Sequence, residues 1–220
     1  MTAIPQKEVL RYLGARGGGD AALLAQVAEI SKLFERRVVP HSVYQVFDCT
    51  VEGDTVLFAD RALKSAALAT HLKGCRRLLL FAATLGTEAD RIARTERTRA
   101  LVRGAAAHAA GAAMIEQYCD DLQETLAQAY EGEGLYLRPR FSPGYGDLPL
   151  STQQTFFELL DLNRRLGMSL TPDYMMIPSK SVTAVIGLST EPTKSFHRCS
   201  SCGSADCPFK RESDTNETIS

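Results

Sequence analysis

The sequence predicts an α+β fold: an antiparallel β-sheet assembled from separate segments, with helices packed on it and one of those helices long. Three stretches carry this prediction. Residues 42–59 are rich in β-formers around a Glu52-Gly-Asp54 turn, Arg77-Leu-Leu-Leu-Phe-Ala-Ala83 is an apolar run of strand length, and residues 98–130 place apolar side chains at spacings of three and four. A chain of 220 residues, 45% of them hydrophobic, can bury a sizeable core as one domain with a tail. The composition puts that domain at 1–190 and a cysteine-containing tail at 191–220.

At the start of the chain, Val9, Leu10 and Leu13, then Leu23, Val27, Ile30 and Phe34, recur at helical spacing and predict helices over 6–15 and 20–37. Gly17-Gly-Gly-Asp20 separates them, and the Asp20 carboxylate can accept from a free N–H of the second helix's first turn. Val43, Tyr44, Val46, Phe47 and then Thr55-Val-Leu-Phe58 form a hairpin on either side of the Gly53 turn. A helix near 61–73 follows, then the strand over 77–83, which Thr84-Leu-Gly-Thr87 ends while capping another helix.

The long helix over 98–130 is lined in its first half with alanine, Gly104 and Gly111. Each internal glycine costs up to ~1 kcal/mol in propensity, and the absence of side chains lets another backbone come close. His108 falls on the apolar stripe and reads as a hydrogen-bonded core residue without chemistry of its own. Glu116 has two readings: a solvated helix-face carboxylate, or an inward one that needs a donor because burying it unpaired is costly. Further on, Leu135-Tyr-Leu137 reads as a strand end, and Ser151-Thr-Gln-Gln154 has capping-box form, opening a helix that runs to Gly167. Residues 174–188 are β-rich and close the sheet, with Met175 and Met176 read as core packing.

Between these elements lies Arg138-Pro-Arg-Phe-Ser-Pro-Gly-Tyr-Gly-Asp147, continuing into Leu148-Pro149. Its prolines lack a backbone donor and its glycines pack nothing, so it is a shaped loop rather than helix or central strand. Backbone N–H groups in such a loop, together with the planar donor fork of Arg140, make a pocket for a carboxylate or phosphate. On composition alone, a proline-rich connection with a solvated arginine is the favoured reading.

Arg140-Phe-Ser-Pro-Gly-Tyr145 resembles the Arg-x-x-Pro-Gly-Tyr signature of the activation domain of cobalamin-dependent methionine synthase, in its short free-standing form. Met176-Ile-Pro-Ser-Lys-Ser-Val-Thr-Ala184 is similar to that domain's second motif, and the likeness is closest over residues 130–190. Where the fused enzyme reads Gly-Tyr-Pro-Ala-Cys-Pro, this chain has Gly144-Tyr-Gly-Asp-Leu-Pro149. The resemblance implies a module that binds S-adenosylmethionine and supports the reductive methylation of cob(II)alamin in a partner protein, as one component of a methyltransferase activity. Carried over by motif, Arg140 holds the methionyl carboxylate, Ser142 and Gly144 lend backbone contacts, Tyr145 shapes the pocket, and Glu116 matches a helix glutamate of the family. The chain has no Asp-x-His-x-x-Gly cobalamin-binding motif. Cobalamin is therefore expected on a partner, a methionine synthase or another corrinoid protein, with an electron donor such as flavodoxin or ferredoxin.

A net charge of −1 and a pI near 6.4 give no electrostatic reason to expect nucleic acid or an anionic membrane as partner. No apolar run approaches the ~20 residues that span a bilayer and the first residues lack an apolar signal core, so the expected setting is cytoplasmic. Of six cysteines, Cys49, Cys75 and Cys119 sit in apolar segments and read as small core residues. The remaining Cys199, Cys202 and Cys207 have C-x₂-C-x₄-C spacing. With His197 they could hold zinc, with a fourth ligand from elsewhere an iron–sulfur cluster, or they could stay unligated. They support the alternative function, a metal- or iron–sulfur-binding electron-transfer or interaction protein in corrinoid metabolism.

Overall fold

The structure is a computed structural model that describes residues 3–15 and 18–192. Two helices come first, α1 (Gln6–Tyr12) and α2 (Ala21–Arg37). Asp20 caps α2 as its position predicts, its carboxylate accepting from Leu23 N at 2.8 Å. The chain then enters β1 (His41–Glu52), turns at Gly53 with φ +61°, and returns as β2 (Thr55–Phe58) in the register Val51↔Val56. A left-handed Ala59 turns it once more into β3 (Arg61–Lys64). The helix expected near 61–73 is thus confined to α3 (Ala66–His71), with Ser65 Oγ accepting from Leu68 N at 3.0 Å. Leu63 alone of β3 is buried, so the segment offers one inward position, too few to show an alternation in the sequence.

The next strand, β4 (Arg77–Thr84), is buried on both faces. Leu79, Phe81 and Ala83 belong to one apolar cluster and Leu78, Leu80 and Ala82 to another. Period-two geometry sends successive side chains to opposite faces, so a continuous apolar run fits only a central strand with both sides covered. After it come α4 (Gly86–Arg99) and α5 (Leu101–Glu131), parted at Ala100 where the backbone is extended. The long helix predicted from residue 98 accordingly begins after that break.

β5 (Tyr136–Leu137) leads through the loop to a short 3₁₀ turn at residues 150–152, then α6 (Gln153–Leu160) and α7 (Leu162–Leu166). The expected capping box does not form, because the 3₁₀ turn places Ser151 inside the first turn rather than before it, and no side chain caps α6. Gly167 ends α7 in the left-handed conformation, as predicted. A two-stranded hairpin, β6 (Ser169–Leu170) with β7 (Met176–Ile177), precedes β8 (Ser181–Ser189). The main sheet has the order β3-β2-β1-β4-β8-β5 with every pair antiparallel. Helices α1, α2, α4 and α5 cover one face and α3, α6 and α7 the other, giving three layers.

Glycine in α5 does what the alanine-rich pattern suggests. A Cβ on Gly104 would lie 2.8 Å from Arg97 Cα, so α4 crosses there at backbone distance. Gly111 leaves a notch filled by the Lys180 stem and Phe34. Where α2, α4 and α5 meet, Glu96 is 1% exposed and accepts from Arg99 Nη1 at 2.9 Å and Arg103 Nε at 2.6 Å, while Arg103 also grips Glu29. Two readings need correction. His108 is exposed rather than a core residue, because α5's first-half stripe through Leu101 and Ala105 faces solvent. Met175 is 59% exposed, since β6 and β7 lie outside the main sheet. Cys49, Cys75 and Cys119 are buried, as expected. Among the described residues no helix is long and apolar enough to cross a membrane.

Candidate functional site

The loop over 138–149 is held by its own backbone. Arg138 N donates to Gly187 O at 2.8 Å, and Phe141 pairs with Val185 of β8 in both directions at 2.9 and 2.8 Å. Within the loop Gly144 N donates to Leu148 O, Tyr145 N to Ser142 O and Leu148 N to Tyr145 O. These N–H groups are therefore spent on shaping the loop, contrary to the expectation that they stay free. His71 Nε2 meets Pro139 O at 2.9 Å, and the Phe141 ring packs edge-on against Tyr145 with centroids 6.0 Å apart.

Two positions explain the Gly-Asp pair that departs from the fused enzyme. A Cβ on Gly146, whose φ is +52°, would lie 2.7 Å from Ala67 Cβ, so the loop touches α3 only because glycine stands there. Asp147 then accepts from Ser65 Oγ, Ala66 N at 2.8 Å and Ala67 N at 3.1 Å, fastening the loop to the start of α3. The Ser65 hydroxyl, followed by the backbone N–H groups, holds its carboxyl below the usual 3.8. A lowered folded pKa gives stability that is complete above the unfolded value and lost as pH falls through the folded one. Acid unfolding below about pH 4 is expected to be steeper for the wild type than for Asp147→Asn, read by circular dichroism across a pH series.

The loop faces α5, and between them lies a cleft of about 280 Å³ lined by Glu116, Arg140, Ser142, Tyr145, Gln153, Tyr174 and β8 residues 181–183. Its volume is at the low end for small-molecule sites (~300–1,000 Å³). Arg140 has a side chain only 10% exposed. Its Nη1 donates to Gln123 Oε1 at 3.0 Å, and its Nη2 to Asp120 Oδ1 at 2.7 Å and Glu116 Oε2 at 3.2 Å. Burial acts to lower its pKa, but Cys119, Asp120 and Glu116 together outweigh that and raise it. Nε–H and the second Nη1 hydrogen have no partner among the described residues, so part of the donor fork remains for a ligand. One guanidinium against two carboxylates leaves an excess negative charge, which suits a ligand carrying cationic groups beside its carboxylate.

The structure brings Glu116, Arg140, Ser142 and Tyr145 together around the cleft. Gly144 is not among the lining residues; with φ +90° it makes the turn that presents them. Sequence reasoning missed Asp120 and Gln123, although both fall four and seven positions after Glu116 and so share its face. It also missed Gln153 and Thr183, which bond each other at 2.6 Å on the cleft wall, and Tyr174, which stands at φ +62°. No spacing connects these to the loop. A second cavity of about 300 Å³, formed by Ile4, Pro40, Met114, Tyr118 and Leu122 among others, is mainly apolar and contains none of the loop. Among the described residues no group of three metal-ligating side chains occurs, and Cys199, Cys202 and Cys207 lie outside them.

A family model described as vitamin B12 dependent methionine synthase, activation domain, matches residues 78–207. No curated protein sequence matches the chain. In fold it is similar to a crystal structure of the MetH reactivation domain bound to AdoHcy, with a TM-score of 0.62 and 19% identity over 80% of this chain and 66% of that one. At that identity the likeness is one of architecture, and it agrees with the antiparallel sheet and long helix described above. The family match spans more than half of the 220 residues and takes in α5, the Arg140 loop and β8, and the chain belongs to the family of vitamin B12 dependent methionine synthase activation domains.

Proposed function

We propose that the chain binds S-adenosylmethionine in the cleft between the 138–149 loop and α5, and presents it to cobalamin carried by a separate methionine synthase or other corrinoid protein. The observation that carries this reading is the meeting of Arg140, clamped but with donors to spare, and an acidic helix face around one cleft. In the similar MetH reactivation domain structure the ligand is AdoHcy, which supports an S-adenosyl compound as the ligand class.

When bound, S-adenosylmethionine would supply the methyl group and leave as the thioether S-adenosylhomocysteine, and the partner's cobalamin, once reduced by one electron from an outside donor, would supply the nucleophile. Arg140 holds the ligand's carboxylate through Nε and Nη1, and its grip by Asp120 and Gln123 fixes the fork beforehand, so little side-chain freedom is lost on binding. Glu116 and Asp120 favour the ammonium and sulfonium charges. Ser142 and Tyr145 line the wall beside them, and Gly144 sets the turn that places both. These roles are binding and orientation, which is what a transfer between two bound partners requires. The working domain is 1–190, acting as a component of methyltransferase activity rather than as a complete enzyme.

Isothermal titration of the full chain with S-adenosylmethionine is expected to show one site, with weaker binding of uncharged-sulfur S-adenosylhomocysteine. Mixing with a cobalamin-loaded methionine synthase that lacks its own activation domain should transfer a labelled methyl group only when a reductant is present. Absence of heat on titration, or transfer without any corrinoid protein, contradicts the proposal.

A further inference from the structure

We infer that the exposed side of α5 around His108, together with Lys180 and Arg97, is a binding site for a phosphate-class oxyanion. None of these three residues lines the Arg140 cleft.

The site follows from the two internal glycines of the long helix. Gly104 stands four residues before His108 and Gly111 three after it, so all three share one side of α5. Each glycine admits a basic stem across the helix. A Cβ on Gly104 would meet Arg97 Cβ at 2.7 Å and Cγ at 3.1 Å, and one on Gly111 would meet Lys180 Cε at 3.1 Å. At a rise of ~1.5 Å per residue the two crossings lie about 10 Å apart along the axis, with His108 between them, a gap that two long basic side chains can close on one ion. Both charges act on the His108 imidazole.

These cations lack anions of their own. Neither the Lys180 ammonium nor the Arg97 guanidinium has a hydrogen bond or ion pair among the described residues. Asp90 of α4 is the one carboxylate among the charges that act on His108, and it is spent on Ser179, accepting from its N at 2.9 Å and from its hydroxyl. Burial and then Lys180, with a smaller push from Arg97, hold His108 below the ordinary imidazole range against the opposite pull of Asp90, and burial likewise lowers Lys180. An anion between them supplies the missing counter-charge. The donors arrive from three elements: Arg97 from α4, His108 from α5, and Lys180 from the turn that enters β8. Approach from three directions suits the tetrahedral oxygens of a phosphate, whereas a planar carboxylate is met by a single fork. His108 and Arg97 are exposed and Lys180 is half-buried, so the ion reaches the site from solvent.

The test is an NMR pH titration of the histidine rings of the full chain in chloride, acetate and inorganic phosphate at equal ionic strength, with His108 assigned through His108→Gln. In phosphate His108 is expected to titrate about one pH unit higher than in chloride, which corresponds to roughly tenfold tighter binding of the ion to the protonated ring. His71, whose ring meets Pro139 O, is the control that should not move. Phenyl phosphate in place of the inorganic ion separates the two sources of the group: a rise at lower concentration marks a phosphate carried on a small molecule, and a rise at the same concentration marks the free ion. Lys180→Met combined with Arg97→Met keeps an apolar stem in both notches and should abolish the rise, with an unchanged circular dichroism spectrum as evidence of folding. Arg97→Gln alone, a change at an exposed position, should reduce it. No rise in phosphate, an equal rise in acetate, or a rise undiminished in these folded variants would overturn the inference. No S-adenosylmethionine enters the measurement, so its failure and that of the proposed function are read separately.

Discussion

Arg140→Ala is expected to weaken S-adenosylmethionine at least about 100-fold and to destabilise the fold by about 2–3 kcal/mol. The first effect follows from two charge-assisted hydrogen bonds to the ligand carboxylate, each ~1.5–3 kcal/mol, against 1.4 kcal/mol per factor of ten. The second comes from Asp120 and Glu116, which lose their common counter-ion. Removing one partner of a fully buried pair costs ~3–5 kcal/mol, and the lower figure applies because these carboxylates are 20% and 35% exposed. Calorimetric titration and urea unfolding read the two effects independently. Arg140→Lys should recover much of the stability and little of the affinity, since an ammonium restores charge but not the fork. Undiminished binding in Arg140→Ala would remove this residue from the site.

Arg103→Ala is expected to cost about 3 kcal/mol, the largest effect away from the cleft. Glu96 lies 1% exposed between α4 and α5, and Arg103 supplies the shorter of its two contacts. The partner that would remain, Arg99, is 59% exposed and reaches only Glu96 Oε1, so Oε2 is left without its donor. Loss of the Glu29 bond adds little, because that carboxylate is 64% exposed. The drop should appear in the urea midpoint without a change in the slope, and a shift below about 1 kcal/mol would show that water replaces the guanidinium.

The sequence made the layers of this fold readable wherever periodicity was long or unbroken. β4 announces a central strand because seven successive buried residues leave no polar face, and α5 announces itself through sustained helical spacing. Short elements were not readable. β3 has one buried position, and the 3₁₀ turn at 150–152 displaced a capping motif whose residues are all present. His108 was misread because an exposed stripe of alanine on α5 has the same spacing as a buried one. At the site, the loop residues were legible through the motif they share with a family, but their supports were not: Asp120 and Gln123 reach Arg140 from α5, and Thr183 and Gln153 meet across thirty positions. Those contacts exist only once β8 has paired with Phe141 and drawn the loop against the helix.

The central claim, that the 138–149 loop and α5 enclose the methyl donor, is tested most directly by a crystal structure of the chain soaked with S-adenosylmethionine. The account predicts the ligand carboxylate within hydrogen-bonding distance of Arg140 Nε or Nη1, the sulfonium beside Glu116, and the methyl group open to solvent near Met175. Density for the ligand in the apolar cavity of Ile4, Met114 and Tyr118, with Arg140 still bound only to side chains of α5, would contradict it.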